Sequence, residues 1–227
     1  NSFSLNYLKT WTDHTLSLGA YYRPTTDVIQ SVRWNVDGVM YSTHENVTGS
    51  RSAGMELILK DKLFRILDLT TTLNAYYYKL DGFSYEIDGA TVTGEPDENF
   101  SWDARVLAGL ILPYDISLQA TGNYRSRSVI TQGHRKPTAS LDLGVRKSLF
   151  NKMFTLSVNW RDVFGTRKWE TFTAGDDFTR HQKNWRDPRV NFVLTWNFGN
   201  MSSSKKRQRQ EESGTDDDMQ GGYGGYE

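Results

Sequence analysis

Four histidines are the side chains of this sequence best suited to bind a transition metal or to move a proton near neutral pH. His14 falls in a short polar stretch, and His44, His134 and His181 fall in three different long connections. None has a second histidine four residues away, and the chain contains no cysteine, so the ligand spacing of a zinc site is absent. The sequence therefore predicts neither a structural metal site nor a thiol nucleophile.

Acidic residues offer two further candidates, because Asp97-Glu98 and Asp176-Asp177 could bind calcium between loops. Adjacent carboxylates in exposed loops are more often only solvated, which is the interpretation we favour. The sequence has no glycine-rich phosphate loop after a strand, no Gly-x-Ser-x-Gly turn and no carboxylate pair that the pattern brings together. We expect a protein that is not an enzyme and holds no cofactor.

The overall composition narrows the choice of partners. The 27 basic and 27 acidic side chains cancel, so no global field points to nucleic acid as a partner. Aromatic residues make up 13% of the chain, although its mean hydropathy is only −0.62. The best apolar run, residues 106–113, is far shorter than the ~18 residues that a transmembrane helix needs.

Most of the chain alternates apolar and polar residues with period two, which is typical of strands with two different faces. In residues 116–125, for example, Ile116, Leu118, Ala120 and Tyr124 lie on one face and polar side chains on the other. Nine such segments can be read, covering residues 2–11, 15–23, 51–60, 63–79, 102–112, 116–125, 139–146, 154–161 and 190–198.

The connections between these segments alternate between short and long. The short ones are residues 12–14, 61–62, 113–115 and 151–152, and the long ones are residues 24–50, 80–101, 126–137 and 163–187. A soluble β-sandwich has no reason to keep one end short, whereas transmembrane barrels have tight turns at one end and longer loops outside. The predicted fold class is all-β, an antiparallel transmembrane β-barrel.

Aromatic side chains fall near the segment ends on the apolar face, where the interfacial girdles of a barrel belong. The alternative is that they are core aromatics at the strand ends of a soluble β domain. Repetition over most segments favours the girdle. The residues are Trp11, Tyr22, Tyr77, Trp102, Tyr124, Trp160, Trp196 and Phe198.

The character of the chain changes after Gly199, so we divide it into a barrel segment, residues 1–199, and a polar tail, residues 200–227. The tail cannot bury apolar surface and is predicted to be disordered, on the periplasmic side. Its basic run, residues 205–209, could contact an anionic partner and its three aspartates, residues 216–218, a cation. A solvated, charge-mixed tail is the favoured interpretation.

The last segments carry a family resemblance. Residues 156–167, Leu-Ser-Val-Asn-Trp-Arg-Asp-Val-Phe-Gly-Thr-Arg, resemble the strand and loop start that precede the final strand of TonB-dependent receptor barrels. Residues 190–199, Val-Asn-Phe-Val-Leu-Thr-Trp-Asn-Phe-Gly, are similar to the closing strand of these barrels, and residues 117–125 and 140–150 to their penultimate hairpins. The resemblance covers about the whole ordered chain.

The resemblance implies a barrel of many more strands, a plug domain and a short box that contacts TonB. It also implies insertion by the barrel assembly machinery, for which Trp196 and Phe198 are the candidate signal. The chain departs from the commonest ending of the family, because a long polar tail follows Phe198.

The strand count also bears on the size of the barrel. If the short turns are periplasmic, the first segment starts outside, whereas bacterial barrels have even strand numbers and begin and end in the periplasm. Nine strands therefore predict further strands upstream. The alternative omits residues 2–11 and leaves a complete eight-stranded barrel. The clean alternation of that segment and the many small polar inward residues favour the larger barrel.

We expect an outer-membrane receptor that takes part in TonB-dependent uptake of a nutrient. Its partners are outer-membrane lipid, TonB and an extracellular ligand. Residues 80–101 and 163–187 would supply ligand contacts, and their side chains suit sugars, peptides or metal chelates equally. The alternatives are a small structural or adhesive barrel and a soluble β-rich binding module, with an enzyme last.

Overall fold

The computed structural model describes residues 1–87, 89–175 and 178–198. These residues include no helix that is long and apolar enough to cross a membrane. Nine strands form one antiparallel sheet, which confirms the number and order of the predicted segments. Along the sheet they are β1 (Phe3–Thr10), β2 (His14–Val36), β3 (Val39–Leu63), β4 (Leu67–Leu80), β7 (Asp97–Leu112), β8 (Ile116–Arg125), β11 (Thr138–Leu149), β12 (Phe154–Arg161) and β15 (Arg189–Trp196).

Among the described residues, six further strands lie in the long connections. The pair β5 (Phe83–Ile87) and β6 (Ala90–Gly94) forms a two-stranded sheet, and a four-stranded sheet has the order β14-β13-β10-β9. The strands of the four-stranded sheet are β9 (Ser128–Ile130), β10 (Gly133–Arg135), β13 (Lys168–Gly175) and β14 (Phe178–Trp185). The predicted tail, residues 200–227, lies outside the described residues.

The pairing register places the apolar residues of neighbouring strands opposite one another across the sheet. Leu18 of β2 lies opposite Leu57 of β3, which lies opposite Leu73 of β4, and Leu73 in turn lies opposite Ala104 of β7. Because side chains alternate between faces, a slip of one residue would exchange the two faces of a strand. The sheet therefore has one apolar face, here called the outer face, and one largely polar face, here called the inner face.

Aromatic rings occupy all four short connections of the sheet. Trp11, Phe64, Tyr114 and Phe150 are 45%, 86%, 85% and 73% exposed. Phe64, Tyr114 and Phe150 also have positive φ angles of 53°, 65° and 52°, which cost a bulky residue roughly 1–2 kcal/mol. Rings held at these turns against that cost fit an interfacial girdle. Of these four residues, only Trp11 was predicted from the sequence to belong to the girdle.

The height of the outer face matches a bilayer. The rings of Tyr114, in the turn before β8, and Tyr124, near the other end of β8, bound its apolar stretch and are ten residues apart. At about 3.4 Å per residue and a tilt of about 45°, ten residues span about 24 Å, close to the ~25 Å apolar band of outer-membrane barrels. The opposite girdle is formed by Tyr22, Tyr77, Phe100, Trp102, Tyr124 and Trp160.

Two predicted connections differ most from the structure, and residues 97–101 of a third belong to β7. Residues 61–62 belong to β3, which runs to Leu63, and the turn comprises residues 64–66. Residues 24–50 are not a loop, because β2 and β3 continue as one hairpin that closes at Asp37-Gly38 with φ angles of 51° and 82°. Such a two-residue turn matches the twist of a hairpin. This hairpin extends beyond the membrane, where neither of its faces contacts lipid. Strict alternation of apolar and polar residues therefore no longer marks its strands.

The sheet has two open edges. Within the described residues, β1 pairs only with β2, and β15 pairs only with β12. One edge of each of these strands therefore has no strand partner in this part of the chain. In hydrocarbon an unpaired backbone group costs several kcal/mol.

The two faces predict opposite responses to a charge. We expect Leu57→Arg, on the outer face of β3, to destabilise the full-length barrel by about 2–4 kcal/mol. The matched control is Glu56→Arg on the inner face, where Gly19 and Asn74 are the cross-strand neighbours. Its effect should be small. The measurement is urea unfolding in phospholipid vesicles, and equal losses for the two variants would contradict the assignment of faces.

Candidate functional site

The hairpins opposite the short turns pack together into a cap. Its apolar centre consists of Val32 and Trp34 of β2 with Val92 of β6, which are 0%, 8% and 2% exposed. Phe83 and Tyr85 of β5 pack against them, and the Tyr85 hydroxyl donates to the Asn46 carbonyl of β3. Burial of these side chains joins the first two long connections into one ordered body.

Gln132 fastens the third long connection to this body. Its Oε1 accepts from the Arg33 backbone N–H at 3.0 Å, and its Nε2 donates to the backbone oxygens of Arg33 at 3.0 Å and Thr93 at 3.2 Å. Its own carbonyl accepts from the Ala174 N–H of β13 at 2.8 Å. Gln132 is 7% exposed, so its buried amide and its own carbonyl together tie strands from four hairpins.

A large cavity lies between the cap and the inner face of the sheet. Its volume is about 1000 Å³, and a neighbouring cavity of about 530 Å³ shares Asp103, Arg125 and Arg135 with it. We call the two together the capped cavity. The sheet contributes residues of β2, β3, β4, β7, β8 and β11, and the cap contributes residues of β9, β10 and β13. A space of this size fits a ligand well beyond a single small ion.

Positive charge dominates the lining. The larger cavity is lined by five cationic side chains, Arg105, Arg125, Arg135, Lys136 and Arg167, and by two acidic ones. The smaller cavity adds Arg23, whose guanidinium lies 4.4 Å from the centroid of the Tyr21 ring. Asp103 is the acidic residue that both cavities share, and it accepts from Asn74 Nδ2 at 3.4 Å.

Two of these cations are neutralised within the protein. Arg167 Nη2 donates to both carboxylate oxygens of Asp142, at 2.9 and 2.8 Å. Lys136 Nζ lies 2.8 Å from Glu170 Oε2, which also lies 3.2 Å from His181 Nε2. The hydrogen bond from Lys136 lowers the pKa of Glu170, and the contact with His181 acts in the same direction. Glu170 is therefore ionised at neutral pH.

The segment at residues 156–167 owes its conformation to Asp162, which is 3% exposed. Its carboxylate accepts from the backbone N–H groups of Thr166 at 3.0 Å and Arg167 at 2.9 Å. Its own N–H donates to Asp142 Oδ1 at 2.8 Å. These bonds fold the chain back so that Arg167 reaches the inner face, which gives the Asp162-Val163-Phe164 run of this segment a structural reason.

The candidate assembly residues lie beside the last short turn. The rings of Phe154 and Trp196 stack with centroids 6.0 Å apart, and Trp196 and Phe198 are 5.2 Å apart. Between them, the Asn197 N–H donates to the Met153 carbonyl at 2.7 Å and its Nδ2 to the Lys152 carbonyl at 3.0 Å. Trp196 and Phe198 are 60% and 76% exposed. Their role in assembly stays a prediction.

The residues considered for metal binding do not come together. In residues 1–198 with the gaps given above, no group of three or more His, Asp or Glu side chains could hold a metal ion. Asp97 pairs with Arg127 at 3.7 Å and Glu98 with Lys79 at 3.5 Å. Asp176 and Asp177 lie outside the described residues.

The histidines have separate environments. His14 pairs with Asp61 at 2.8 Å near the short turns, whereas His134 packs on the Phe172 ring with centroids 5.5 Å apart in the cap. Burial lowers the pKa of His134, and the nearby Arg127 acts in the same direction. His134 is therefore neutral at pH 7 and adds no charge beside the capped cavity.

The site includes residues that the sequence analysis did not single out. Arg125 was placed on the polar side of its segment, and Arg105 falls there by the same alternation. The sequence offered no signal for Arg135 or Gln132, because both lie in a long connection whose strands are only three residues long.

An antiparallel sheet with an apolar outer face, aromatic girdles and a polar inner face defines a transmembrane β-barrel protein. The chain belongs to the outer membrane protein beta-barrel family, whose model matches residues 1–198. The protein is accordingly a component of the bacterial outer membrane, in contact with its lipid. Comparisons with curated proteins and with solved structures found no match.

Removal of the Gln132 amide should loosen the cap. Gln132→Ala leaves the Arg33 N–H and carbonyl without this partner, at a cost of about 1–3 kcal/mol. We expect faster hydrogen exchange at the Arg33 amide and faster proteolysis of the cap. Gln30→Ala is the control, since Gln30 accepts one bond, from Thr131 Oγ1 at 2.7 Å. Unchanged exchange in Gln132→Ala would refute this role.

The assembly prediction can be tested with two aromatic residues near the same chain end. Phe198→Ala should reduce the folded, heat-modifiable barrel in outer membranes several-fold. Phe192→Ala is the control, because Phe192 lies on the outer face of β15 and is 74% exposed. Equal yields for the two variants would show that Phe198 has no special role.

Proposed function

We propose that this barrel is the C-terminal part of a receptor for TonB-dependent uptake of a nutrient ligand. The observation that carries the proposal is the capped cavity, a large polar space on the inner face beneath ordered hairpins. Loops that hold a ligand at the outer end of a barrel need such order, because a bound ligand must be positioned before transport.

The open sheet edges support a larger barrel. Spanning sheets close on themselves in a bilayer, since no water is present to satisfy an edge. We therefore assign further strands as partners of β1 and β15. The eight-stranded alternative requires residues 2–11 to stand apart from the sheet, but β1 pairs with β2 over eight consecutive residues, from Phe3 opposite Tyr22 to Thr10 opposite Thr15.

Apolar side chains on the inner face support an internal plug. Leu8, Ile111 and Val193 lie on this face and are 68%, 54% and 47% exposed. Leu8 and Ile111 are near the short turns, away from the capped cavity. A lumen filled only with water would leave these side chains hydrated, whereas a folded plug in that half of the barrel would bury them.

In this proposal the protein binds and passes its ligand without chemical change, and TonB supplies the energy for release inward. The barrel assembly machinery inserts it, and nucleic acid is not a partner. A structural or adhesive barrel is the second candidate, supported by the extent of the cap. A soluble β-rich module is no longer considered, because the chain belongs to a membrane-barrel family.

The coding sequence upstream of Asn1 provides the test. We expect it to encode additional barrel strands, a plug domain and a TonB-contacting box behind a signal peptide. A signal peptide cleaved directly before Asn1 would contradict the receptor and favour the structural barrel. Uptake that persists after deletion of the TonB gene would also contradict the proposal.

A further inference from the structure

The capped cavity has a charge that its surroundings do not balance. We propose that it binds a ligand with two or more anionic groups, such as carboxylates, sulfates or phosphates. This inference rests on the proposed function, because it assigns the class of ligand to the lumen of a receptor.

The distribution of ion pairs leaves positive charge unbalanced in this cavity. Asp142 neutralises Arg167, and Glu170 neutralises Lys136. Among the described residues, no carboxylate lies within 4.0 Å of the side-chain nitrogens of Arg105, Arg125 or Arg135. Three guanidinium groups therefore face Asp103, because the second acidic side chain of the lining, Glu170, already pairs with Lys136.

The placement of the three arginines also favours an anionic ligand. Arg125 lies opposite Asp103 in the register of β8 and β7, and Arg105 is two residues farther along β7 on the same face. Arg135 comes from β10 in the cap. The ligand space therefore has arginines on both its wall and its roof. Each guanidinium can bind a carboxylate, sulfate or phosphate through two parallel hydrogen bonds.

The rest of the lining suits the body of an organic ligand. Trp169 of β13 is 41% exposed, and Tyr78 of β4 lines the adjoining cavity. Aromatic faces suit the body of an organic ligand, and Asn123, Ser140 and Thr171 offer hydrogen bonds. An anionic oligosaccharide of a few rings fits this combination and the volume of about 1000 Å³. Low-dielectric walls also strengthen the attraction of a cationic cleft for anions.

Acidic side chains of a plug are the competing partner for the arginines. The exposed apolar residues Leu8 and Ile111 indicate that a plug contacts the half of the inner face near the short turns. The arginines lie at the other end of the strands, beneath the cap, where an external ligand arrives first. A plug that neutralised them would leave no charge for a ligand, so binding measured with the plug present separates the two cases.

The test uses the full-length gene product in detergent and isothermal titration calorimetry. The probes are a heparin-derived sulfated tetrasaccharide and inositol hexakisphosphate, with uncharged maltotetraose as the control ligand. We expect either anionic probe to bind more tightly than maltotetraose, and affinity to fall as salt is raised. Arg105→Gln/Arg125→Gln should weaken binding at least tenfold. Arg180→Gln, in β14 of the cap and outside the lining, should leave it unchanged.

Heat-modifiable migration shows whether Arg105→Gln/Arg125→Gln inserts into the membrane. If it does not, Arg135→Gln serves as a second variant, because it alters the cap alone. A loss of affinity in either inserted variant supports the inference, and the choice of probe distinguishes an acidic sugar from a polyphosphate. Absence of binding by both anionic probes, or affinity unchanged in the variants, would overturn it. Because binding in detergent needs no TonB, this result is independent of the test of uptake.

Discussion

The need to pair every backbone N–H and C=O group within hydrocarbon governs this structure. A sheet meets that need between neighbouring strands, so the nine long strands pair in chain order with an almost continuous register. Register then fixes which side chains meet lipid, because adjacent residues point to opposite faces. The apolar outer face, the polar inner face and the ring-bearing turns all follow from that single arrangement.

Beyond the membrane the same strands are free of this constraint, and there the chain forms the packed cap. The extensions of β2 and β3 and the small sheets pack through Val32, Trp34 and Val92, and the buried amide of Gln132 joins them. The capped cavity is the consequence, since a roof of packed hairpins stands over a polar wall. Charges that the membrane-facing side could not tolerate collect in this partly open, solvated space.

Periodicity predicted the membrane part of the fold well, because a lipid boundary on one side and a lumen on the other impose alternation on each strand. It failed at residues 61–62, where the strand runs on into the turn, and at residues 24–50, where a hairpin in water has no uniform apolar face. Less of the candidate site could be predicted from the sequence. Arg105 and Arg125 stood on the polar face by alternation, but their meeting with Arg135 depends on the long-range bonds by which Gln132 holds the third connection against β2, β6 and β13. No local pattern encodes that contact.

One face of this sheet contacts lipid and the other does not. Residues 1–227 contain no cysteine, so no native thiol of this segment competes with single cysteines placed and spin-labelled at each position of β8, from Ile116 to Arg125, in the full-length protein reconstituted in vesicles. Oxygen should broaden the spectra of labels at even-numbered positions, and a water-soluble nickel chelate those at odd-numbered positions. Accessibility to the chelate at every position, or no alternation at all, would contradict the account.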